Sequence, residues 1–371
     1  LKILYICSFY HRAMIFKDCM DALTRRGNTV QVYNATWKGD SVEKKYVPIM
    51  TDSVVHKECY FKWERYFFFT KQYKIYRNLV KNFDLLNFDI LHAHNLFNGG
   101  VSAYYCSKKT NVPFIVSIRA SDITAFMNIS FFRKLAKKVL KSAAGIQFLS
   151  IRHRDEFLNN YVDSGDRDLI EAKSFIAFNG LEEFWLKNRH NPKTLKNKKN
   201  ITLLFAGKIN KNKNILKIVE ASNLLINRGY NVNLRIVGKV LDGEIGRRLR
   251  EIDYVELIDF KPMDELINLY RESDIFIMPS IHESFGRVYA EAMTQGLPVI
   301  YTKGQGFDGI FSDGEVGYAV PSGDAEYISQ CIERITTKYE QISKNCIDRS
   351  QKFDWKRISK DIDEFYKKVI S

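Results

Sequence analysis

The sequence predicts an α/β protein built from two parallel-sheet domains, and three observations carry that prediction. The chain has 371 residues, more than a single core usually holds. Short apolar runs alternate with stretches of helical spacing along its length. A polar, basic stretch at 186–200 separates two such series. The hydrophobic fraction of 45% and charged fraction of 27% are those of an ordinary globular protein, and seven prolines without a low-complexity tract exclude a disordered or collagenous chain.

The first series opens with LKILYICSF, a buried strand, then helical spacing over 13–26, Gly27 as a cap, and a strand in NTVQVYNA. FDILHAHN (88–95), VPFIVSIRASD (112–122) and AGIQFLS (144–150) continue it, each an apolar run ending in polar residues, and IEAKSFIAFNG (170–180) closes it. The second series begins with the strand ITLLFAGKI (201–209) and the helix 215–229. Strands NVNLRIVGK (231–239), VELIDF (255–260), IFIMPS (275–280), LPVIYT (297–302) and GYAVPSGD (317–324) follow, with helices at 265–274 and 288–296. The last stretch, from Asp354 to Ser371, reads as helix. The expected division is 1–184, 185–353, and a terminal helix 354–371. Two such domains facing one another would leave a cleft at the carboxyl ends of both sheets, where open α/β folds bind ligands.

Charge and cysteines narrow the partners. Lys and Arg exceed Asp and Glu by 57 to 43, for a net +14, of which +9 falls in residues 1–184. That excess suits anionic partners: phosphorylated small molecules, anionic lipid or nucleic acid. None of the six cysteines forms a CxxC pair, so zinc and iron–sulfur sites are not expected, and a reducing compartment is. The opening residues turn polar too soon for a signal peptide, and no run reaches the roughly 18 apolar residues of a membrane span. Neither GxGxxG nor GxxxxGK[ST] occurs, so phosphate chemistry must sit elsewhere.

Two segments carry chemistry. In MPSIHESFGRVYAEAMTQGLPVI (278–300), a strand ends at Pro279 and a loop presents His282, Glu283 and Ser284. Gly286 then allows a tight approach to the next helix, and Glu291 follows Glu283 by eight residues. Two carboxylates so placed can accept paired hydroxyl hydrogen bonds from a sugar and a ribose. Backbone amides at Phe285, Gly286 and Arg287 open a helix and can hold a phosphate. The plainer reading is a solvated loop before an amphipathic helix. In FAGKINKNKN (205–214), Lys208 and Lys213 lie between a strand and a helix, where two ammonium groups can neutralise a diphosphate. Gly207 and Gly238 each end an apolar strand and leave room for a ligand.

The ordered set resembles retaining glycosyltransferases of family 4, with the GT-B fold. The resemblance rests on GKINKNKN, ESFGRVYAEAM, GLPVI, DGEVGYAVPSGD (313–324) and the Asn179–Gly180 pair. It implies two Rossmann-like domains and transfer of a hexosyl group from a nucleotide diphosphate sugar. Lys208 would stand where the family usually has arginine, and Lys213 where it has lysine, both on the donor diphosphate. Glu283 would meet the donor sugar and Glu291 the ribose, with Ser284 and the amides of Phe285–Arg287 supporting sugar and phosphates. The base would lie near Gly238, Lys239 and the Lys261–Met263 segment, and the terminal helix would cross back to the first domain near Trp355. No cofactor and no metal ion are implied.

Two departures matter. The first loop is SFYHRAM rather than glycine-rich, and Arg119-Ala-Ser-Asp122 stands where relatives carry His-Gly-Ser-Asp. Arg119 cannot act as a neutral imidazole, though it can bind phosphate or an acceptor oxygen. With Asp122, His94 and Asn95 it forms the acceptor-side candidate set. His92 and His94 are two apart on one strand, and His153 reads as a surface residue.

The acceptor expected is a lipid-linked glycan precursor of bacterial capsule, O-antigen or related surface polysaccharide. Residues 57–83 hold seven basic and two acidic side chains among many aromatics, and 133–142 hold five basic and no acidic ones. Such segments can lie on an anionic leaflet, so a cytoplasmic enzyme peripheral to the inner membrane face is expected. Aromatic core faces with solvated lysines opposite are the plainer reading. The competing functions are a nucleotide-sugar epimerase or hydrolase or a phosphorylase on the same fold, and a non-enzymatic basic module, for which no nucleic-acid recognition motif is present.

Overall fold

The computed structural model describes residues 1–40 and 53–371. By internal contacts the chain forms two units, Leu1–Gly180 with Trp355–Ser371, and Leu181–Asp354.

In the first unit, β1 (Lys2–Ile6) leads to α1 (Met14–Thr24) and β2 (Thr29–Trp37). Next come β3 (Ser53–Tyr60), α2 (Phe68–Asn82), β4 (Ile90–Ala93), α3 (Val101–Thr110) and β5 (Phe114–Ser117). A single turn, α4 (Ala120–Asp122), precedes α5 (Ser130–Ser142), β6 (Gly145–Phe148), α6 (Ile151–Tyr161), α7 (Ser164–Ala172) and β7 (Ser174–Ile176). The seven strands are parallel in the order β3-β2-β1-β4-β5-β6-β7. The order reverses beside β1, the switch point at which such sheets open a crevice beyond the strand ends. The strands read as near-continuous apolar runs because helices cover both faces. Leu4, Ile6, Leu91 and Val116 point into one core and Ile3, Tyr5, Ile90 and Ile115 into the other.

β3 was not evident in the sequence, where its lysine, glutamate and histidine mask an edge strand of eight residues. His153 is a correction: it is buried, with no hydrogen bond to either ring nitrogen, its ring packed against Phe148. It follows Ser150, which caps α6 by accepting the His153 amide hydrogen, and it lies one turn before Phe157 on the side of that helix that faces the core.

The second unit begins with α8 (Glu183–Lys187) and β8 (Asn200–Ala206). The alternation continues through α9 (Ile215–Asn227), β9 (Asn231–Val237), α10 (Gly243–Arg250), β10 (Val255–Ile258), α11 (Met263–Glu272) and β11 (Ile275–Met278). Then follow α12 (Arg287–Thr294), β12 (Val299–Thr302), β13 (Gly317–Val320), α13 (Ala325–Thr337) and α14 (Tyr339–Ser350). Its six parallel strands run β10-β9-β8-β11-β12-β13, again reversing beside the first strand. The basic stretch before β8 is tied down: the Lys193 amide donates to Ser343 Oγ (2.7 Å), and its ammonium to Arg271 O (2.8 Å) at the end of α11. The final helix, α15 (Trp355–Ile370), packs on α1 of the first unit, where Asn28 donates to Asp363 (2.8 Å).

Candidate functional site

The second unit gathers its polar residues where β8, β9 and β11 end. Gly207 and Gly238 follow β8 and β9, and the Gly207 amide donates to Val237 O (2.9 Å). A Cβ on Gly238 would lie 1.9 Å from Gly207 O, and its φ is +143°, so no side chain fits between these strand ends. The floor they form is bare backbone. Lys208 and Lys239 stand exposed beside it, Lys261 is half-buried and paired with Glu265 (2.7 Å), and Met263 opens α11 with its side chain exposed.

The loop after β11 is held from two sides. Asn212 grips it by accepting from the His282 amide (3.1 Å) and donating to His282 O (2.9 Å). Asn214, at φ +54°, donates to Pro279 O (3.2 Å) and to Ser322 O (2.5 Å). From the other side Gln305 accepts from the Glu283 amide (2.8 Å), and Gly306 donates to Glu283 O (2.8 Å). The loop enters α12 through Gly286 at φ +75°, a left-handed conformation that a residue with a Cβ adopts only with strain. Phe285 is buried against Phe307 and Phe353, which turns the neighbouring Ser284 and Glu283 outward, both half-buried.

Within this frame Lys213 Nζ lies 2.6 Å from Glu283 Oε2. Both side chains are mostly shielded, so the pair is stronger than a surface ion pair while staying within reach of a ligand. Glu291 sits one face over on α12, 8% exposed. Its oxygens lie 3.5 Å from the Tyr270 hydroxyl, which donates to it, and 3.8 Å from Arg287 Nη2. Burial pushes Glu291 up to about 7; the Arg287 charge opposes this and Glu182 adds to it. The Arg287 side chain is ion-paired to Glu182. The structure thus brings Lys213, Glu283 and Ser284 together, with Gly207, Lys208, Gly238 and Lys239 at the adjoining strand ends. The sequence singles out Lys208 and Lys213 of GKINKNKN, whereas the bracing is done by its asparagines and by Gln305. A signal existed for the asparagines, which favour left-handed and capping positions, and none for Gln305.

In the first unit the acceptor-side candidates form a second constellation, beyond β1, β4 and β5. His94 is buried, and its Nδ1 takes the Tyr5 hydroxyl at 2.7 Å and Arg119 Nη2 at 2.9 Å. A guanidinium only donates, so Nδ1 is an acceptor and the ring proton sits on Nε2. Burial, with Arg119 and His92 nearby, holds His94 well below the usual histidine range, and the ring is neutral. Arg119 Nε also donates to His94 O (3.2 Å). Asp122 is buried and accepts from the amides of Leu96 (3.2 Å), Phe97 (3.2 Å) and Arg119 (3.0 Å). Its carboxyl, pushed up to about 6 by burial, pins the loops after β4 and β5 to each other and faces inward. Asn95 is buried, its carbonyl accepting from Gly100 (2.8 Å). His92 is enclosed by Tyr366 (2.5 Å) and Ser117 (2.9 Å).

A network the sequence did not reveal joins the turn after β1 to the middle of β2 and β3, where Asn34 and His56 are register partners. With its oxygen toward the two imidazoles, Asn34 accepts from Nδ1 of His11 and of His56, each at 2.8 Å. His11 Nε2 is 3.2 Å from Asp40. Three separate segments supply these residues, so no sequence spacing could have signalled it. Among the described residues no three His, Cys, Asp or Glu side chains cluster to hold a metal ion, and no helix is long and apolar enough to cross a membrane.

Comparison with known proteins gives this geometry its class. Residues 15–167 match the family model described as Glycosyltransferase Family 4, and residues 187–353 match that of Glycosyl transferases group 1. With both halves matched and two Rossmann-like domains present, the protein is a glycosyltransferase of the GT-B fold. An uncharacterised glycosyltransferase of Methanocaldococcus jannaschii is 21% identical over 361 residues, 94% of this chain and 93% of that one. The capsular polysaccharide biosynthesis glycosyltransferase CapM of Staphylococcus aureus is 30% identical over 142 residues, 37% of either chain. Among solved structures, Anabaena HepE in complex with UDP and glucose superposes with a TM-score of 0.69 at 16% identity, covering 99% of this chain and all of the other.

Proposed function

We propose that the protein is a retaining hexosyltransferase that uses a nucleotide diphosphate sugar and a hydroxyl of a lipid-linked glycan precursor, working at the membrane during cell-surface polysaccharide assembly. The Lys213–Glu283 pair, poised at the bare strand ends of Gly207 and Gly238, carries this reading. Lys208 and Lys213 take the diphosphate, with the amides from Phe285 to Arg287 at the start of α12 beside them. Glu283 accepts from hydroxyls of the transferred hexose, Ser284 supports them, and Glu291 accepts from the ribose. The base lies toward Gly238, Lys239 and Met263. In the reaction the bond from the anomeric carbon to the diphosphate oxygen breaks, and the acceptor oxygen bonds to that carbon on the same face. The acceptor proton passes to the departing diphosphate, and the two lysines stabilise the charge left there. HepE, which shares the fold, was crystallised with UDP and glucose, and the capsular enzyme shares the segment matched; both support the substrate class.

The test is incubation with a panel of UDP- and GDP-sugars, with and without polyprenyl-diphosphate-linked acceptors. The expected result is acceptor-dependent release of the nucleoside diphosphate and a product that keeps the donor's anomeric configuration by NMR. Release of free sugar or of a 2-epimer without acceptor would replace the proposal with a hydrolytic epimerase, and an inverted product would remove retention.

A further inference from the structure

The aromatic segment between β3 and α2, with the start of α2, is largely outside the core. Phe68 packs inward among Phe97, Phe126 and Phe132. Its neighbours do not: Trp63 is 58% exposed, Phe69 56%, and Phe61, Phe67 and Tyr73 are exposed as well. Phe131, at the start of α5, is 51% exposed and meets Phe69 ring to ring at 5.4 Å. Phe61, Trp63 and Phe67 form a second exposed cluster just before α2, at 6.3 and 5.7 Å between successive ring centroids. Folded chains rarely leave a contiguous apolar surface uncovered without a use for it.

Charge selects the occupant. Between Phe61 and Arg77 the lone acidic residue is Glu64. It is buried, bonded to the Phe61 amide (2.8 Å) and to Lys74 (2.5 Å). On α5, Lys138 follows Phe131 at i+7 and shares its stripe, and Lys134, at i+3, lies between that stripe and the cavity it lines with Lys137, Lys141, Asp163 and Asp166. On α2, Phe69, Tyr73 and Arg77 share another at i, i+4 and i+8. Lys137 and Lys141 turn away to Asp163 and Asp166, at 2.7 and 2.8 Å. The surface thus presents aromatic rings bordered by cations, with its carboxylate withdrawn. In a parallel sheet, the helix starts and the turn after β3 lie at the carboxyl ends of the strands, the same edge as His94 and Arg119.

We propose that this surface is a bilayer-docking face for an anionic leaflet. Trp63, Phe67, Phe69 and Phe131 enter the boundary between headgroups and acyl chains, and Lys62, Arg77, Lys134 and Lys138 sit over lipid phosphates. The face deepens the membrane-borne acceptor reading and rests on it for its biological purpose. Its evidence is independent of the donor site.

Trp63 provides the probe, because Trp185 is buried and Trp37 and Trp355 are half-buried. With phosphatidylcholine vesicles containing about one third phosphatidylglycerol, the emission of the full chain should shift to the blue. Pure phosphatidylcholine should leave it unchanged, and raised salt should reverse the shift. Lys134→Ser with Lys138→Ser should weaken co-sedimentation by on the order of 10-fold. Trp63→Ser with Phe131→Ser should weaken it at least as much, while Lys137→Ser with Lys141→Ser should not. All three variants should bind nucleoside diphosphate as the parent does, which controls for folding. Equal binding to both vesicle types, no binding to either, or equal loss from the two lysine pairs would overturn the face. So would a soluble oligosaccharide shifting Trp63 where vesicles do not. Vesicle binding without any nucleotide-sugar turnover would instead leave the face standing and remove the proposed function. Turnover on a soluble acceptor without vesicle binding would remove both the face and the lipid-linked acceptor, and leave only the donor half of the proposed function.

Discussion

Beyond β4 and β5 of the first unit, Arg119, His94 and Asp122 bond to one another, to Tyr5 and to three backbone amides. Beyond β8 and β11 of the second unit, the loops are held mainly by Asn212, Asn214 and Gln305. That leaves Lys208 exposed and Lys213 and Glu283 bonded to each other at the rim. Similar strand-end geometry therefore serves two ends. Where charged groups brace the loops, they lose solvent and their protonation shifts, as with Asp122 at about 6. Where neutral amides do the bracing, charged groups stay available for a ligand. An asparagine costs less to bury than a carboxylate, which is the physical reason the second arrangement leaves its charges outward.

The largest effect that would test this contrast is expected at Lys213. Lys213→Ala should lower turnover by about 10²–10³, as removal of one charge-stabilising donor does, and steady-state kinetics with the preferred donor would measure it. A loss of only a few-fold would mean that the pair with Glu283 is a brace of the first-unit kind. Asp122→Ala is the mirror experiment. It orphans three amide hydrogens and should cost about 3 kcal/mol in urea unfolding, while nucleoside diphosphate affinity stays unchanged by calorimetry. Glu283→Gln keeps shape and removes charge; transfer should fall by at least ~10-fold, with a smaller change in binding of the bare nucleoside diphosphate.

Glu291 supplies a pH test. Its folded value of about 7 lies above the ordinary value of 4.5, so the folded chain keeps a proton that the unfolded chain releases between these limits. The resulting stability is complete below pH 4.5 and is lost as pH rises through 7. Unfolding at pH 5 and pH 8 should show Glu291→Gln escaping a loss of up to about 3 kcal/mol that the parent suffers. If the ionised carboxylate accepts from a ribose, nucleotide binding by the parent should also tighten across this range and that of the variant should not. The smallest effect is expected at Lys208, where arginine adds a planar fork to an exposed position. Lys208→Arg should change donor KM by roughly two- to five-fold, downward, with little change in kcat.

Much of this was legible in the amino-acid order. Apolar runs such as ILYI, LLFA and IFIM need burial on both faces, and only a helix-covered parallel sheet provides that, so the two α/β series could be placed along the chain. The spacing of Lys208, Lys213, Glu283, Gly286 and Glu291 marked the second-unit loops, because strand–loop–helix units bring such residues to one sheet edge whatever the packing details. Other features depended on contacts between distant segments. The edge strand β3 has a mixed polar pattern and exists because β2 pairs with it. His153 is buried because Ser150 starts a helix that sets His153 on the same core-facing side as Phe157. The Asn34 network joins β2, β3 and the turn after β1, and Gln305 reaches Glu283 from the loop after β12. The lysines of α5 look alike in sequence. Which of them face solvent and which meet Asp163 and Asp166 depends on α7 packing beside that helix, since an ion pair needs both partners within about 4 Å and no local spacing sets that distance.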